Sequence, residues 1–536
     1  MADPRLGADR QPDGPAPRDL AGRTVVVGGA GTAGMSAARY LVTLGAQVLL
    51  ADDRFAARDA DRMTRDATIR AVAGVVELAA QGVEPVAVSD LLGDHEWTGR
   101  TAVVVVSPGF APTHALVDAA TAGGVPVWGE VELAWRVDRA GLLGEPRTWL
   151  VVTGTNGKTT TTSMLAGIVE ASDRTGAACG NIGLPVLEAM RATPRVDVLC
   201  AELSSFQLHW APSVRPDAGV VLNVAEDHLD WHGSFDSYAM AKAGALRGAV
   251  SVVGLDDAVA SGLPTSGRRV GFTLARPTEG ELGVADGWLT DRAFDAGRLF
   301  SADRVVPAGP SGIADALAAS ALALAVGIDR DAVRAGLDSF RPAGHRGEVV
   351  AVRDGIVFVD DSKATNPHAA QAAVSAFGRV VLIAGGLLKG ASMDEMLTAV
   401  GDRLAGVIAI GRDRQLVVEA IARHAPEVPT VTVFTGDDGT VNVHRPGEAT
   451  PAPSSPDTSA SSSAPTDPAR TEAAVAVLER AVEEAWELAV ASDPAPDAVL
   501  LAPAAASLDM FPGYGARGDA FADAARRIAG PTRSGR

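Results

Sequence analysis

Three features are scarce in this sequence, and each scarcity argues against a class of protein. Only two of its 536 residues are cysteines, Cys179 and Cys200, so a secreted disulfide framework is not expected and a reducing, cytoplasmic setting is. No apolar run reaches the ~20 residues of a membrane span, so we expect no membrane partner. Positive charge is also scarce, since 47 Lys and Arg residues stand against 66 Asp and Glu residues. The net charge of −19 argues against nucleic-acid binding, which requires a basic surface.

The length predicts several domains, about three by the usual size of a domain. Short β-branched runs at 24–27, 149–152 and 356–359 each precede a turn and an Ala-rich helical pattern. This order is typical of an α/β fold, in which ligands bind beyond the carboxyl ends of the strands. We predict a flexible tail at 1–20 and domains at 21–144, 145–340 and 341–536.

One segment departs from the α/β pattern. Residues 436–470 are rich in Ser, Pro, Thr and Asp. Such a composition buries too little apolar surface to offset the entropy of ordering, so we predict a disordered insertion in the third domain. A helix at 471–490 and a strand at 498–501 are predicted to follow it.

A phosphate-binding loop follows the second predicted strand. It consists of Gly154, Thr155, Asn156, Gly157, Lys158, Thr159 and Thr160. Glycines let backbone N–H groups approach phosphate oxygens, Lys158 supplies a cation to the β- and γ-phosphates, and Thr159 offers its hydroxyl to Mg²⁺. The alternative is an ordinary glycine turn with a surface lysine. The strand–loop–helix context favours ATP binding.

Three further residues suit a metal or catalytic site. Glu202 follows a strand and is the oxygen ligand that Mg²⁺ prefers, and His228 lies in an acidic turn as a ligand or a base. Lys242 lies downstream in a helical pattern. Taken singly, each has a structural alternative: a solvated carboxylate, a hydrogen-bonded core histidine and a surface lysine.

A second Gly-rich turn lies near the N-terminus. Gly29, Gly31 and Gly34 follow the first strand, and Asp52 follows the next. This pattern alone indicates NAD, or a βαβ turn with only a structural role. Ser107 begins another loop after a valine-rich run, where it would face the nucleotide.

Several of these stretches together resemble the Mur ligase family. They are 154–160, 180–185, 202–208 and 223–230, and the pair 202–208 with 361–366 is similar to the members that add D-glutamate. The resemblance implies a UDP-binding Rossmann-like domain, a central P-loop ATPase domain and a Rossmann-like C-terminal domain. It also implies an ATP-dependent ligase of peptidoglycan synthesis that adds D-glutamate to UDP-N-acetylmuramoyl-L-alanine through an acyl-phosphate. A monomer is expected.

The resemblance assigns roles to individual residues. It implies two Mg²⁺ ions, one held by Thr159 and Glu202 and one by His228 and Lys242, with Lys242 carbamylated. Lys158, His228 and Lys242 are the implied catalytic residues. ATP is assigned to the phosphate loop with Arg346 and Asp361. The UDP substrate is assigned to Gly29, Gly31, Gly34, Asp52, Ser107 and Asn181. D-Glutamate is assigned to Lys363, Thr365, Lys389, Ser507 and Tyr514.

The sequence also departs from the family pattern, and other functions stay open. Asp315 stands where the family has an adenine-binding asparagine, and Leu388 stands where an acidic residue is common. The alternatives within the family are a ligase for another amino acid and a folate polyglutamating enzyme. Outside it, they are an NAD-dependent dehydrogenase with an accessory P-loop and an inactive nucleotide-binding regulator.

Overall fold

A computed structural model of the chain describes residues 14–56, 72, 74–342, 344–436, 440–445 and 468–530. The chain divides into two compact units, Met1–Val305 with Gly312–Phe340 and Val306–Ser311 with Arg341–Arg536. Three β-sheets and the helices between their strands confirm the predicted α/β fold class. Arg341, where the second unit's main segment begins, is also where the sequence predicts the third domain. The domain limits themselves stay predictions. Among the described helices, none is long and apolar enough to cross a membrane.

The N-terminal sheet has five parallel strands in the order β3-β2-β1-β4-β5, as in a Rossmann-like fold. Its strands are β1 (Thr24–Gly28), β2 (Gln47–Asp52), β3 (Glu84–Ala87), β4 (Thr101–Val106) and β5 (Val127–Gly129). The valine-rich β1 and β4 are buried along almost their whole length, as parallel strands covered on both faces must be. Its helices are α1 (Thr32–Thr43), α2 (Val75–Ala80), α3 (Val88–Gly93), α4 (Trp97–Arg100), α5 (Ala115–Ala122) and α6 (Glu130–Arg139).

The central sheet has nine strands in the order β14-β13-β12-β11-β10-β9-β6-β8-β7. They are β6 (Thr148–Thr153), β7 (Gly176–Gly180), β8 (Val198–Glu202), β9 (Ala218–Val221), β10 (Val250–Gly254), β11 (Arg268–Phe272), β12 (Glu281–Ala285), β13 (Trp288–Asp291) and β14 (Gly297–Ser301). Every neighbouring pair from β12 across the sheet to β7 is parallel. The pairs β12–β13 and β13–β14 are antiparallel. Helices in this part of the chain are α7 (Lys158–Glu170), α8 (Val186–Met190), α9 (Ser205–His209), α10 (Leu229–His232), α11 (Phe235–Lys242), α12 (Ala258–Gly262), α13 (Pro310–Ala325) and α14 (Arg330–Ser339).

The C-terminal sheet has seven strands in the order β15-β16-β21-β17-β18-β19-β20. They are β15 (Glu348–Arg353), β16 (Ile356–Asp360), β17 (Val380–Gly385), β18 (Leu404–Ile410), β19 (Thr430–Thr435), β20 (Val441–His444) and β21 (Ala498–Leu501). The inner strands are parallel and the outermost pair at each edge is antiparallel. Its helices are α15 (Pro367–Ser375), α16 (Asp394–Val400), α17 (Arg414–His424), α18 (Pro468–Ala491) and α19 (Tyr514–Ala529).

The predicted flexible tail is wrong over its last residues. Pro17–Leu20 forms a 3₁₀ turn, and Leu20 is fully buried in the hydrophobic core. Burial of Pro17 and Leu20 and a hydrogen bond from the Arg18 guanidinium to Ala140 O at 2.7 Å hold this turn in place. Residues 1–13 lie outside the described residues.

The predicted disordered insertion is also wrong over part of its length. Val441–His444 forms β20, which pairs with β19, and Arg445 bonds both carboxylate oxygens of the buried Glu484 on α18. Helix α18 begins at Pro468, before the predicted start at residue 471. Val441 and Val443 lie on the same face of β20, since successive side chains of a strand alternate, and both pack against the core. The polar average composition of the segment gave no indication of this apolar face. Residues 446–467 lie outside the described residues.

We expect that deletion of residues 446–467, bridged by a short Gly-Ser linker, leaves folding and turnover unchanged. A segment of this polar composition buries little apolar surface, and the entropy of closing a connection grows only with the logarithm of its length. The matched control deletes residues 436–470, which also removes β20 and Arg445 and leaves Glu484 without that partner. We expect the larger deletion alone to lower the thermal midpoint. Loss of activity in a stably folded 446–467 deletion would contradict this prediction.

Candidate active site

The predicted phosphate loop connects β6 to the start of α7. Gly157 precedes the helix at φ +83°, and a Cβ there would collide with the Asp315 carboxylate. Glycine is therefore required at this position for two reasons, the left-handed backbone and the missing space. The N–H of Asn156 donates to Asn223 Oδ1 at 2.8 Å, which fixes the middle of the loop.

Asp315, where the sequence departs from the family pattern, lies directly against this loop. It is 7% exposed and accepts a hydrogen bond from the Thr161 hydroxyl at 2.8 Å. The carboxylate thus braces Gly157 and the first turn of α7. Sequence spacing carries no signal for this contact, because 154 positions separate Asp315 from Thr161.

Two predicted catalytic lysines meet at one carbonyl oxygen of the loop. The Lys158 ammonium donates to Gly154 O at 2.9 Å and to Thr155 O at 2.7 Å, and Lys242 Nζ donates to Gly154 O at 2.8 Å. Lys242 is 2% exposed, so the alternative of a surface helix lysine is wrong. Burial, reinforced by the nearby Lys158 charge, holds the pKa of Lys242 well below its usual range. Burial thus favours the neutral, nucleophilic form of this amine over the charged form.

Glu202 ends β8, with its Cα paired to Val152 on β6, and is 1% exposed. Its Oε1 accepts a hydrogen bond from Asn181 Nδ2 at 2.7 Å, which brings together two residues predicted for the site. Its Oε2 is buried, and no residue that the structure describes gives it a hydrogen bond. A buried carboxylate oxygen of this kind is costly unless it binds a cation, so Glu202 fits a role as a Mg²⁺ ligand.

His228 occupies the residue before α10 in the left-handed region at φ +53°. Its Nε2 lies 3.5 Å from Asp227 Oδ2, and its ring centroid is 4.7 Å from that of Phe206. This conformation is uncommon for a residue with a Cβ and is typical of functional sites. Across the described part of the chain, no group of three or more His, Cys, Asp or Glu side chains is placed to hold a metal. A metal here would need further oxygen ligands, such as nucleotide phosphates.

The N-terminal Gly-rich turn has the geometry of a diphosphate-binding turn. Gly29 lies at φ +95°, and a Cβ on Gly34 would collide with the Gly29 carbonyl. Gly31 faces open space, with no atom within 4 Å of where its Cβ would lie. The Ser107 hydroxyl donates to Gly29 O at 3.2 Å, so the loop after β4 contacts the turn, and its position facing the nucleotide stays a prediction.

Asp52, at the end of β2, supports the same turn. Its carboxylate accepts the N–H of Ala30 at 2.7 Å and is clamped by the Arg54 guanidinium at 2.8 Å. Burial opposes ionisation of Asp52, but the bonds from Arg54 and Ala30 outweigh it and lower the carboxyl pKa. Asp52 therefore shapes the turn as an ionised side chain.

In the second unit, the loop after β16 brings Lys363 to Tyr514. The Lys363 ammonium lies 4.0 Å from the centre of the Tyr514 ring, and Thr365 N donates to Lys363 O at 2.8 Å. Partial burial raises the pKa of Asp361 to about 7, and the Arg346 charge opposes that rise. This one loop thus carries three of the residues predicted to contact ATP or D-glutamate, Asp361, Lys363 and Thr365.

A neighbouring loop after β17 carries Lys389 at φ +54°. It is fixed by a bridge between Leu387 and Ala506, the residue before the buried Ser507, and by a 2.8 Å hydrogen bond from Leu388 N to Asp413 Oδ2. Asp413, the residue before α17, brings an acidic side chain to the Lys389 loop, which has no acidic residue of its own. The sequence reading misses it because the two segments are 25 positions apart.

Arg517 is a second residue that the sequence reading misses. Its guanidinium is 1% exposed and donates to Ser362 Oγ at 3.0 Å, Ser362 O at 2.9 Å and Ala505 O at 3.1 Å. It ties the loop of Lys363 to the segment before Ser507. Burial lowers the pKa of Arg517 to about 10, so it stays charged at neutral pH.

The phosphate loop after β6 and the Gly-rich turn after β1 are together typical of a nucleotide-binding protein. Three family models match the chain: Mur ligase MurD-like N-terminal domain at residues 23–129, Mur ligase middle domain at 152–267, and Mur ligase glutamate ligase domain at 345–505. The chain belongs to the Mur ligase family.

Relatives cover almost the whole chain. UDP-N-acetylmuramoylalanine–D-glutamate ligase of Rhodococcus jostii is 52% identical over 514 residues, which is 95% of this chain and 96% of that protein. The enzyme of the same name from Mycolicibacterium smegmatis is 51% identical over 525 residues, 95% of this chain and 97% of that one. A pseudomurein peptide ligase type C of Methanothermus fervidus has the same fold, with a TM-score of 0.50 and 16% identity over 94% of this chain and 99% of that one.

Proposed function

We propose that this chain is the ligase that adds D-glutamate to UDP-N-acetylmuramoyl-L-alanine in peptidoglycan precursor synthesis, with ATP as co-substrate. The observation that carries it is the near-complete match, at about half identity, to relatives of that name. The dehydrogenase and regulator alternatives are set aside, because the lysines and the carboxylate of a phosphoryl-transfer site are all present. A cytoplasmic location follows from the proposed substrates, and the monomeric state stays a prediction.

The proposed chemistry has two steps. The substrate carboxylate attacks the γ-phosphate of ATP, which gives an acyl-phosphate and ADP. The amine of D-glutamate then attacks the acyl carbon, and phosphate leaves as the amide forms. The main obstacle is repulsion between the carboxylate and the triphosphate, which Lys158 and the N–H groups of the loop offset.

We propose two Mg²⁺ ions, one at Thr159 and Glu202 and one at His228 and Lys242. The buried, unpartnered Oε2 of Glu202 supports the first site. When bound, Mg²⁺ would neutralise charge on the phosphate oxygens. The second site needs a ligand oxygen on Lys242, because an ammonium repels a cation.

Carbamylation of Lys242 supplies that oxygen. The neutral amine attacks CO₂ and releases one proton, which leaves a carbamate anion on Nζ. Burial of Lys242 and the low pKa of its amine support this reaction, and the nearby Lys158 charge would stabilise the product. Lysine occurs at only four positions, 158, 242, 363 and 389, and all four are proposed site residues. Every other basic residue is arginine or histidine, neither of which has a primary amine.

We propose that Gly29, Gly31, Gly34, Asp52, Ser107 and Asn181 hold the UDP-linked substrate. The left-handed Gly29 and the uncovered Gly31 support a diphosphate on the turn. Asn181 is oriented by its bond to Glu202, which would place a substrate contact beside a metal ligand. Arg346 and Asp361 stay proposed ATP contacts.

We expect turnover with D-glutamate to exceed turnover with L-glutamate, L-alanine or diaminopimelate. The proposed donors Lys363, Thr365, Lys389 and Ser507 suit two carboxylates, and alanine would leave some of these donors unpaired. A diamino acid would bring a cation near Lys389. The measurement is phosphate release from ATP with UDP-N-acetylmuramoyl-L-alanine and each acceptor in turn.

The Lys389→Ala variant tests the proposed D-glutamate pocket in the same assay. It should raise the KM for D-glutamate and leave the KM for ATP and for the UDP substrate near wild type. Higher turnover with L-alanine or diaminopimelate than with D-glutamate would move the chain to another branch of the family.

A further inference from the structure

A row of aromatic rings leads away from the phosphate loop. The Thr155 hydroxyl lies 2.9 Å from the Tyr238 hydroxyl, and the Tyr238 ring centroid is 5.3 Å from that of His232. His232 stacks on Phe206 at 5.5 Å, and Phe206 lies 4.6 Å from Trp231. We call Tyr238, His232, Phe206 and Trp231 the aromatic row.

The far end of the row reaches the loop after β4. The indole N–H of Trp231 donates to Gly109 O at 3.4 Å, and that of Trp210 donates to Phe110 O at 3.1 Å. Trp210 is 3% exposed and belongs to the hydrophobic core of the N-terminal sheet, although it follows α9 of the central part. Its own carbonyl accepts Gly129 N at 2.8 Å. Two tryptophans from the ATP-binding part therefore hold two consecutive carbonyls of one loop.

The loop after β4, residues 107–110, also contacts the Gly-rich turn at Gly29. Ser107 Oγ bonds Gly29 O at 3.2 Å, and the Phe110 ring would lie only 3.0 Å from a Cβ on Gly29. The Phe110 ring also packs on His114 at 4.4 Å between centroids. A shift of residues 107–110 would therefore change the space above the turn.

We infer that Trp231 and Trp210 are positioning residues for the UDP-linked substrate, because their indole N–H groups fix the 107–110 loop against the Gly29 turn. This inference rests on the proposed function, which assigns the turn to UDP. A loop ordered before binding loses less conformational freedom when the substrate arrives, so the substrate binds more tightly. The effect acts on substrate affinity, and the reacting atoms are not involved.

Trp231 is the residue to test, since it is only partly buried and phenylalanine keeps the ring beside Phe206. We expect Trp231→Phe to raise the KM for UDP-N-acetylmuramoyl-L-alanine by roughly 2- to 10-fold, the effect of one lost hydrogen bond. The kcat and the KM values for ATP and D-glutamate should stay near wild type. Trp288→Phe is the matched control, because Trp288 is another partly buried tryptophan, on β13, and should change none of these values.

Calorimetric titration with UDP alone gives a second readout that needs no turnover. The Kd of UDP should rise by a similar factor in Trp231→Phe and stay constant in Trp288→Phe. An unchanged Kd, or an equal rise in KM for all three substrates, overturns the positioning role. If the wild-type protein showed no turnover, the proposed function would fail, and the UDP titration would still decide the role of Trp231.

Discussion

Replacement of Lys158 by alanine is expected to lower kcat by on the order of 10³-fold or more. The Lys158 ammonium lies at the loop between β6 and α7, where it already binds two loop carbonyls. In the proposed reaction it offsets the negative charge that builds up between the carboxylate and the γ-phosphate. Alanine removes that charge and leaves the loop backbone in place. The measurement is phosphate release that depends on all three substrates.

Two controls separate the role of Lys158 from general damage. Arg276→Ala removes an exposed cation paired with Asp286 in the same unit and should leave kcat unchanged. Lys158→Arg keeps the charge but alters its geometry, since a planar guanidinium does not replace a compact ammonium. We expect it to stay strongly impaired. Near-normal turnover of Lys158→Ala would contradict the proposal that residues 154–160 bind the phosphates of ATP.

Replacement of Lys242 by alanine is expected to abolish turnover, at a cost comparable to that of Lys158→Ala. The reason is loss of the proposed carbamate oxygen beside the phosphate loop. Added acetate or another short carboxylic acid should partly restore turnover, because a free carboxylate fits the space that the carbamate leaves. A fully active alanine variant would refute the role of Lys242 as a metal ligand.

The modification itself is testable without activity. Wild-type protein equilibrated with ¹³CO₂ should show a carbamate resonance that is absent from Lys242→Ala and Lys242→Arg. Few lysines compete for the label, because the chain has only four. Lys242→Arg keeps a long basic side chain but has no primary amine, so it should be inactive. Lys158→Ala serves as the contrast, since acetate should not restore its turnover.

Local patterns in the sequence were enough to predict much of the fold. The runs at 24–27, 149–152 and 356–359 are the strands β1, β6 and β16, each extended by one or two residues. The strand predicted at 498–501 is β21. These predictions succeed because strand formation by β-branched runs and turn formation by glycines depend on neighbouring residues only.

The failed predictions share a physical cause. Leu20 is buried in a hydrophobic core, and Val441 and Val443 of the strand Val441–His444 are partly buried against another, although both segments have a polar average composition. The average composition of a segment does not show which of its individual side chains pack against the rest of the protein. The contacts of Asp315, Asp413 and Arg517 were not predicted for the same reason, since each side chain binds a segment far from it in sequence.

The sequence by itself determined the α/β class, the phosphate loop, the Gly-rich turn and the family, because each depends on residue types at short, regular spacing. Only the tertiary structure decided that Lys242 is buried against Gly154, that Glu202 keeps a carboxylate oxygen without a described partner, and that Trp231 reaches Gly109. Each of these features involves a residue at or just after the carboxyl end of a parallel strand, namely Gly154 after β6, Glu202 on β8 and Gly109 after β4. Parallel strands bring their carboxyl ends to one edge of a sheet whatever their separation along the chain, so the chemistry of such an edge is set by topology.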